Sequence, residues 1–191
     1  MMLSPYPLEE NLGMRYYASS TPGIGGRLRS SPADFVVEEL PLPISDADGP
    51  YIICRLTKTN WELQRAAREI AKQLAISHRR IAWAGNKDKN AVTTQFLSIY
   101  GVTPEEAGRV HLKDISLEVV GRSQHPLVLG GLAGNRFDII IRDCVPEELA
   151  QRVQAVTEVV AAGVPNYYGL QRFGVVRPVT HIVGEKILKG D

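Results

Sequence analysis

The chain has 191 residues, 44% of them hydrophobic and 23% charged, the proportions of an ordinary folded domain rather than of a disordered, collagen-like or mucin-like chain. Lysine and arginine number 22 against 21 acidic residues, a formal net charge of +1, so bulk charge is silent about a polyanionic partner. No apolar run approaches the roughly 18 residues a membrane span needs, the start MMLSPYPLEENLGMRYY has neither the basic nor the apolar region of a signal peptide, and Cys54 and Cys144 stand apart without a C-x-x-C. These features predict a cytoplasmic protein with one core, no membrane attachment and no disulfide framework.

The stretch to about Ser31, around TPGIGG, is rich in Gly, Pro and Ser and reads as an arm. FVVEEL from Phe35 predicts a strand, and after the break PLPISDADGP the run YIICRL predicts a second, which could pair with it as an antiparallel neighbour. Thr59 to Glu62 has the spacing of a capping box. Leu63, Ala66, Ala67, Ile70, Ala71 and Leu74 then recur on one face at helical period, with Arg65, Arg68, Glu69 and Lys72 opposite. IAWA (Ile81 to Ala84) predicts a short strand, followed by the polar loop GNKDKN and the strand FLSIY. Thr103-Pro104-Glu105-Glu106 is a helix start that Gly108 soon stops. ISLEVV, LVLG and RFDIII predict three further strands. Pro146 opens a helix with Leu149, Val153, Val156 and Val160 on its apolar face and Gly163 as cap, and after the loop VPNYYGLQRFG a last helix runs from about Pro178 to Leu188. Short strands interleaved with two long helices, without one-for-one alternation, predict an α+β fold. Its sheet is mixed and mainly antiparallel, with helices packed on it, rather than doubly wound and parallel.

Chemistry concentrates in GNKDKNAVTTQ, Gly85 to Gln95, the densest polar segment between two apolar strands. Asp88 lies between Lys87 and Lys89, cations that would favour its ionised form if their side chains converge on it, and an ionised carboxylate serves as nucleophile or base without a metal. A solvated surface turn is the competing reading. NKDK misses the guanine-reading N-K-x-D by one position and has no P-loop upstream. His78, His111, His125 and His181 match no metal-ligand spacing, so no metal is expected. Arg27, Arg29, His78, Arg79, Arg80, Arg122, Arg136, Arg172 and Arg177 sit in or near loops, while Glu105, Glu106, Glu118, Glu147 and Glu148 lie mostly near helix starts. That separation suits an RNA-facing cleft, if the cations converge. Phe35, Phe137, Tyr167, Tyr168 and Phe173 are candidates for stacking on unpaired bases, with core packing as the alternative for Phe35 and Phe137. Asn135 could read a base edge or supply a positive φ.

GNKDKNAVTTQ resembles the signature of the TruD family of pseudouridine synthases, G-x-K-D-x-x-A-x-T-x-Q, at every named position. In chain order SPADFVVEE (Ser31 to Glu39) is similar to the family's P-E-D-F-x-V-x-E, with Ala33 for glutamate, and GNRFDIIIR (Gly134 to Arg142) to its G-N-x-F. PNYYGLQRFG (Pro165 to Gly174) is similar to its P-N-Y-F-G-x-Q-R-F-G, with Tyr168 for phenylalanine. The resemblance implies the pseudouridine synthase catalytic fold, with isomerisation of uridine, typically uridine 13 of tRNA, to pseudouridine. It also implies Asp88 as the catalytic aspartate, acting as nucleophile at C1′ or as base at C2′. Phe35, Asn135 and Phe137 are then contacts of the target nucleotide, with Lys87, Lys89 and Gln95 as further substrate contacts. No cofactor and no metal are implied, and the partner is tRNA, with no obligate protein partner. Family members are longer, so residues 1–191 read as an N-terminal part of the catalytic domain, with 1–31 as its arm and an inserted domain and the remaining sheet expected beyond. The rival reading is a non-catalytic RNA-binding module.

Overall fold

The computed structural model describes residues 2–43, 48–174 and 177–190. In chain order its elements are helix α1 (Pro7–Asn11), strands β1 (Gly25–Leu28), β2 (Phe35–Pro41) and β3 (Tyr51–Thr59), helix α2 (Leu63–Gln73), strands β4 (Ile81–Trp83) and β5 (Val92–Tyr100), the one-turn helix α3 (Pro104–Ala107), strands β6 (Ile115–Ser123), β7 (Leu132–Ile139) and β8 (Ile141–Cys144), and helices α4 (Leu149–Ala161), α5 (Leu170–Phe173) and α6 (Thr180–Lys189). They fall into two compact units, one of Gly26–Asp143 and one of Met1–Gly25 with Cys144–Asp191.

The first unit is α+β, built on a mixed, mainly antiparallel sheet in the order β6-β3-β5-β2-β7 with β4 also on β5. Only β2 and β5 run parallel among these pairs. The strands FVVEEL and YIICRL, expected as neighbours, are separated by β5. The break of ten residues between them, of which 44–47 lie outside the described residues, is too long for a two-residue hairpin turn to enforce their pairing. β5 instead pairs with β3 along its whole length, from Tyr51↔Tyr100 to Thr59↔Val92. LVLG is a turn and not a strand: Leu127 N donates to Ser98 Oγ at 2.9 Å and Gly130 N to Ala84 O at 2.8 Å, so its backbone groups serve neighbouring segments instead of a ladder.

Helix α2 begins at Leu63 and is capped by Glu62, whose carboxylate accepts from Gln64 N at 2.9 Å and Arg65 N at 2.7 Å. The capping box expected from Thr59 does not form, because Thr59 is still paired with Val92 in the sheet and Asn60 turns the chain at a φ of 58°. The expected box at Thr103 and Glu106 does form. Leu63, Ala66, Ala67, Ile70 and Ala71 are buried, as their spacing predicts. Four of these, all but Ala66, pack on Ile52, Cys54, Leu56, Leu97 and Ile99, and full burial of Leu63 and Ile70 contributes about 1.5–3 kcal/mol each.

Residues paired across a ladder share a face. On β3 and β5 the rows Ile52↔Ile99, Cys54↔Leu97, Leu56↔Gln95 and Lys58↔Thr93 lead from the apolar end under α2 to a polar end. Val37↔Thr93 carries that face onto β2, and Phe35↔Ile139, Val37↔Phe137 and Glu39↔Asn135 carry it onto β7. One face of the sheet is therefore hydrophobic core at one end and polar at the other.

In the second unit α4 is half-covered: Leu149 and Val156 are partly buried, while Val153 and Val160 of the expected apolar face remain 46% and 50% exposed. The rings of Phe173 and His181 meet edge-on at 5.5 Å, and Thr180 Oγ1 donates to Arg172 O at 2.9 Å, joining α5 to α6. No helix among the described residues is long and apolar enough to cross a membrane.

Candidate active site

The edge of β5 is shared by two strands. β2 pairs with Val92–Thr94 and β4 with Leu97–Ile99, so at Gln95 and Phe96 neither strand is opposite. The chain leaves β4 beside Leu97 and re-enters β5 at Val92, which sends residues 84–91 back along the strand over that gap. Side chains fill it. Phe96 N donates to Glu39 Oε1 at 3.3 Å, Lys87 Nζ pairs with Glu39 Oε2 at 2.6 Å, and Gln95 Nε2 donates to Gly85 O at 3.0 Å. Trp83 Nε1 donates to Asn86 Oδ1 at 3.1 Å.

This arrangement accounts for each named residue of the GNKDKNAVTTQ pattern. A Cβ on Gly85 would lie 3.2 Å from Leu132 Cδ2 and 3.3 Å from Lys87 Nζ, closer than most side chains tolerate. Lys87 turns inward to Glu39, with side-chain exposures of 5% and 1%. Ala91, Thr93 and Gln95 alternate inward and are fully buried. Gln95 Oε1 and Thr93 Oγ1 have no hydrogen-bond partner among the described residues. Asp88 alone of the six points outward, its side chain about half exposed.

Asp88 Oδ2 accepts from Arg29 Nη2 at 2.6 Å. Arg29 sits at the end of β1 with a φ of 57°, a left-handed conformation uncommon outside glycine, which marks a position held by its surroundings. Its guanidinium carbon lies 3.9 Å from the centroid of the Phe35 ring, and Phe35 meets Phe137 edge-on at 6.1 Å. Carboxylate, guanidinium and two aromatic rings thus follow one another in contact. Phe35 is buried, whereas Phe137 is 54% exposed on β7, which among the described residues ends the sheet next to β2. Asn135, directly across from Glu39, is exposed on the same face.

Asp34, beside Phe35, is fully buried and accepts two hydrogen bonds from Arg142, at 2.9 and 2.6 Å, and one from Ser31 N at 2.9 Å. The Arg142 guanidinium, outweighing burial, holds its carboxyl down to about 2. This fork ties the start of β2, and hence Phe35, to Arg142 of β8. Lys58 is likewise fully buried, and its ammonium donates to Trp61 O at 2.8 Å and to Asp88 O at 3.0 Å.

The sequence-predicted residues Asp88, Phe35, Phe137, Asn135 and Gln95 are all brought to the polar end of one sheet face or the loop over it. Of the two lysines expected beside Asp88, Lys87 is committed to Glu39, Lys89 is exposed, and Arg29 is the cation on the carboxylate. The other cations expected to face RNA have local partners in several cases: Arg27 with Asp143, Arg136 with Asp138, Arg80 with the Tyr100 and Gly101 carbonyls. Sequence reasoning missed Glu39 and Lys58. The available signal was a charge at an inward position of a strand, after Phe35 and Val37 in one case and after Ile52, Cys54 and Leu56 in the other. Among the described residues no group of three or more His, Cys, Asp or Glu side chains is placed to hold a metal ion.

A family model described as tRNA pseudouridine synthase D (TruD) matches residues 11–191. The chain belongs to the TruD family. It is 45% identical over 188 residues to a protein of Methanococcoides burtonii and 44% identical over 185 residues to one of Archaeoglobus fulgidus, each named probable tRNA pseudouridine synthase D; 96% of this chain is covered in both cases, with 43% and 44% of the relatives. The crystal structure of a TruD protein of Methanosarcina mazei, 41% identical, superposes with a TM-score of 0.90 over 100% of this chain and 44% of that one. The chain thus spans less than half the length of these TruD relatives, and the fold expected from the resemblance is the one observed.

Proposed function

We propose that the chain supplies the reactive carboxylate and part of the base-binding wall of a tRNA pseudouridine synthase, with Asp88 as the reacting group. The supporting observation is the outward-facing Asp88 carboxylate, fixed by Arg29 on a loop clamped from below, with the Phe35 and Phe137 rings following from Arg29. The reaction isomerises uridine. The target nucleotide leaves its stack at a cost of a few kcal/mol, offset by stacking and phosphate contacts in the site. In one route an Asp88 oxygen bonds C1′ as the N1–C1′ bond breaks; the uracil turns, C5 displaces the carboxylate from C1′, the C5 proton leaves and N1 gains one. In the other, Asp88 takes the C2′ proton as the N1–C1′ bond breaks and a C1′=C2′ double bond forms; it returns that proton to C2′ as C5 bonds C1′, after which the C5 proton leaves and N1 gains one. In this reading Phe137, which is half exposed, stacks on the freed uracil, and Asn135 lies one row further along the same face. We assign the reaction to uridine 13 of tRNA on the family resemblance.

The test is tritium release from C5-labelled uridine in tRNA, with pseudouridine mapped in the product. It uses the protein extended to the relatives' length, here the full-length protein. Asp88→Asn abolishes release and leaves tRNA binding intact; residual turnover within about tenfold of wild type removes Asp88 from this role. Residues 1–191 alone are expected to turn over weakly or not at all. Salt-dependent binding by the full-length protein with no modified nucleotide supports the non-catalytic RNA-binding reading instead.

A further inference from the structure

Lys58 continues an inward row that is otherwise apolar, after Ile52, Cys54 and Leu56, and its side chain is among the largest fully buried in the molecule. Its stem lies where a hydrocarbon belongs, and its ammonium leaves the core at the polar end. There it bonds two main-chain carbonyls from separate segments: Trp61, in the turn between β3 and α2, and Asp88, in the loop between β4 and β5. Among the described residues its bonded partners are carbonyls, not a carboxylate. Across the strand pair it faces Thr93, whose buried hydroxyl has no partner.

A cation buried in this way is an expensive means of filling space. Desolvation lowers the ammonium to a pKa of about 8, against the pull of Glu62 and Asp88 and with an added push from Lys87. A methionine would fill the same volume without desolving a charge, and buried charges replaced by apolar groups of similar size are often neutral or favourable for stability. What methionine cannot do is hold the carbonyl of residue 88. That carbonyl and the Asp88 side chain share one Cα, so fixing the first restricts where the second points. Arg29 holds the carboxylate from the outside; Lys58 holds its backbone from within.

We propose that Lys58 is a positioning residue of the Asp88 site, acting through the Asp88 main chain to fix the aim of its carboxylate. The inference rests on the reading that Asp88 reacts with the nucleotide. Reacting atoms must approach to about 3–3.5 Å, and a misplacement of about 1 Å costs on the order of a hundredfold in rate. Because Lys58 is fully buried, its removal alters the chemical step and leaves the RNA-facing surface unchanged.

The experiment measures single-turnover pseudouridine formation and tRNA affinity in the full-length protein for wild type, Lys58→Met, Lys58→Gln and Asp88→Asn, each with its thermal midpoint. Lys58→Met is expected to remain folded, to bind tRNA within about threefold of wild type, and to react slower by tenfold or more, on the order of the misplacement cost. Lys58→Gln, which keeps a donor on a shorter arm, falls between them. A Lys58→Met rate within about twofold of wild type, or an equal loss in affinity and rate, overturns the proposal. Loss of folding in both Lys58 variants assigns the residue to stability and overturns it also. If Asp88→Asn is inactive while Lys58→Met reacts normally, only this inference fails; if Asp88→Asn remains active, the reading beneath it fails.

Discussion

Arg29 and Asp88, 59 residues apart in sequence, share a 2.6 Å ion pair in which the same guanidinium rests on the Phe35 ring. The pair is only partly shielded, with side-chain exposures of 35% and 49%, so its contribution to stability is below about 1 kcal/mol. Its value is geometric. Arg29→Ala is expected to slow tritium release by about 10- to 100-fold while shifting the urea midpoint little. Arg29→Lys recovers only part of the rate, because an ammonium cannot lie flat on the ring and reach the carboxylate as the planar fork does. A large stability loss with unchanged rate contradicts this account.

Phe35 and Phe137 meet edge to face but differ in burial, 8% against 54% exposed. Their truncations separate accordingly. Phe35→Ala removes a core side chain and costs about 3–5 kcal/mol in denaturant unfolding. Phe137→Ala is expected to leave unfolding nearly unchanged and to weaken productive binding of the target nucleotide by about 1–3 kcal/mol, the worth of one base stacked on an aromatic ring. Equal destabilisation by both would remove Phe137 from the binding surface.

Glu39 and Lys87 form a pair buried from water on both sides, with Phe96 N on the second carboxylate oxygen. Glu39→Gln leaves the Lys87 ammonium without its counter-charge and is expected to destabilise by about 3–5 kcal/mol. The double variant Glu39→Gln with Lys87→Met recovers part of the loss. Urea unfolding of the four proteins in the cycle measures the coupling, and simple additivity would show that the two residues do not act as a pair.

Asp34 gives stability its acid limit. Its carboxyl is held at about 2, against an ordinary 3.8, first by the hydrogen bond from Arg142 and despite burial. A folded pKa below the unfolded one stabilises at pH above about 3.8, and that stabilisation is lost as pH falls from 3.8 through about 2. In Asp34→Asn the urea midpoint is lower at neutral pH and flatter across that window than in wild type. A wild-type midpoint as flat as the variant's there disproves the linkage.

The GNKDKNAVTTQ loop, the rings Phe35 and Phe137, and the helix at Leu63 were legible because their signals are local: spacing, periodicity and a motif of six residues. Pairings were less so. The separation of β2 from β3, and the turn at LVLG, depend on which strand competes best for the edges of β5, a choice among segments far apart in sequence. Thr59 reads as a cap only until the sheet claims it.

Sequence by itself determined the α+β class and the family and singled out Asp88 as a candidate, since burial pattern and motif residues are properties of the chain read along its length. Tertiary structure decided which charges meet. Adjacent lysines suggested partners for Asp88, yet alternation along the loop turns Lys87 inward to Glu39, while the fold brings Arg29 from just after β1 and Lys58 from β3 to the same residue. Ion pairs and buried hydrogen bonds depend on distances of a few ångströms between segments that only the folded sheet sets side by side.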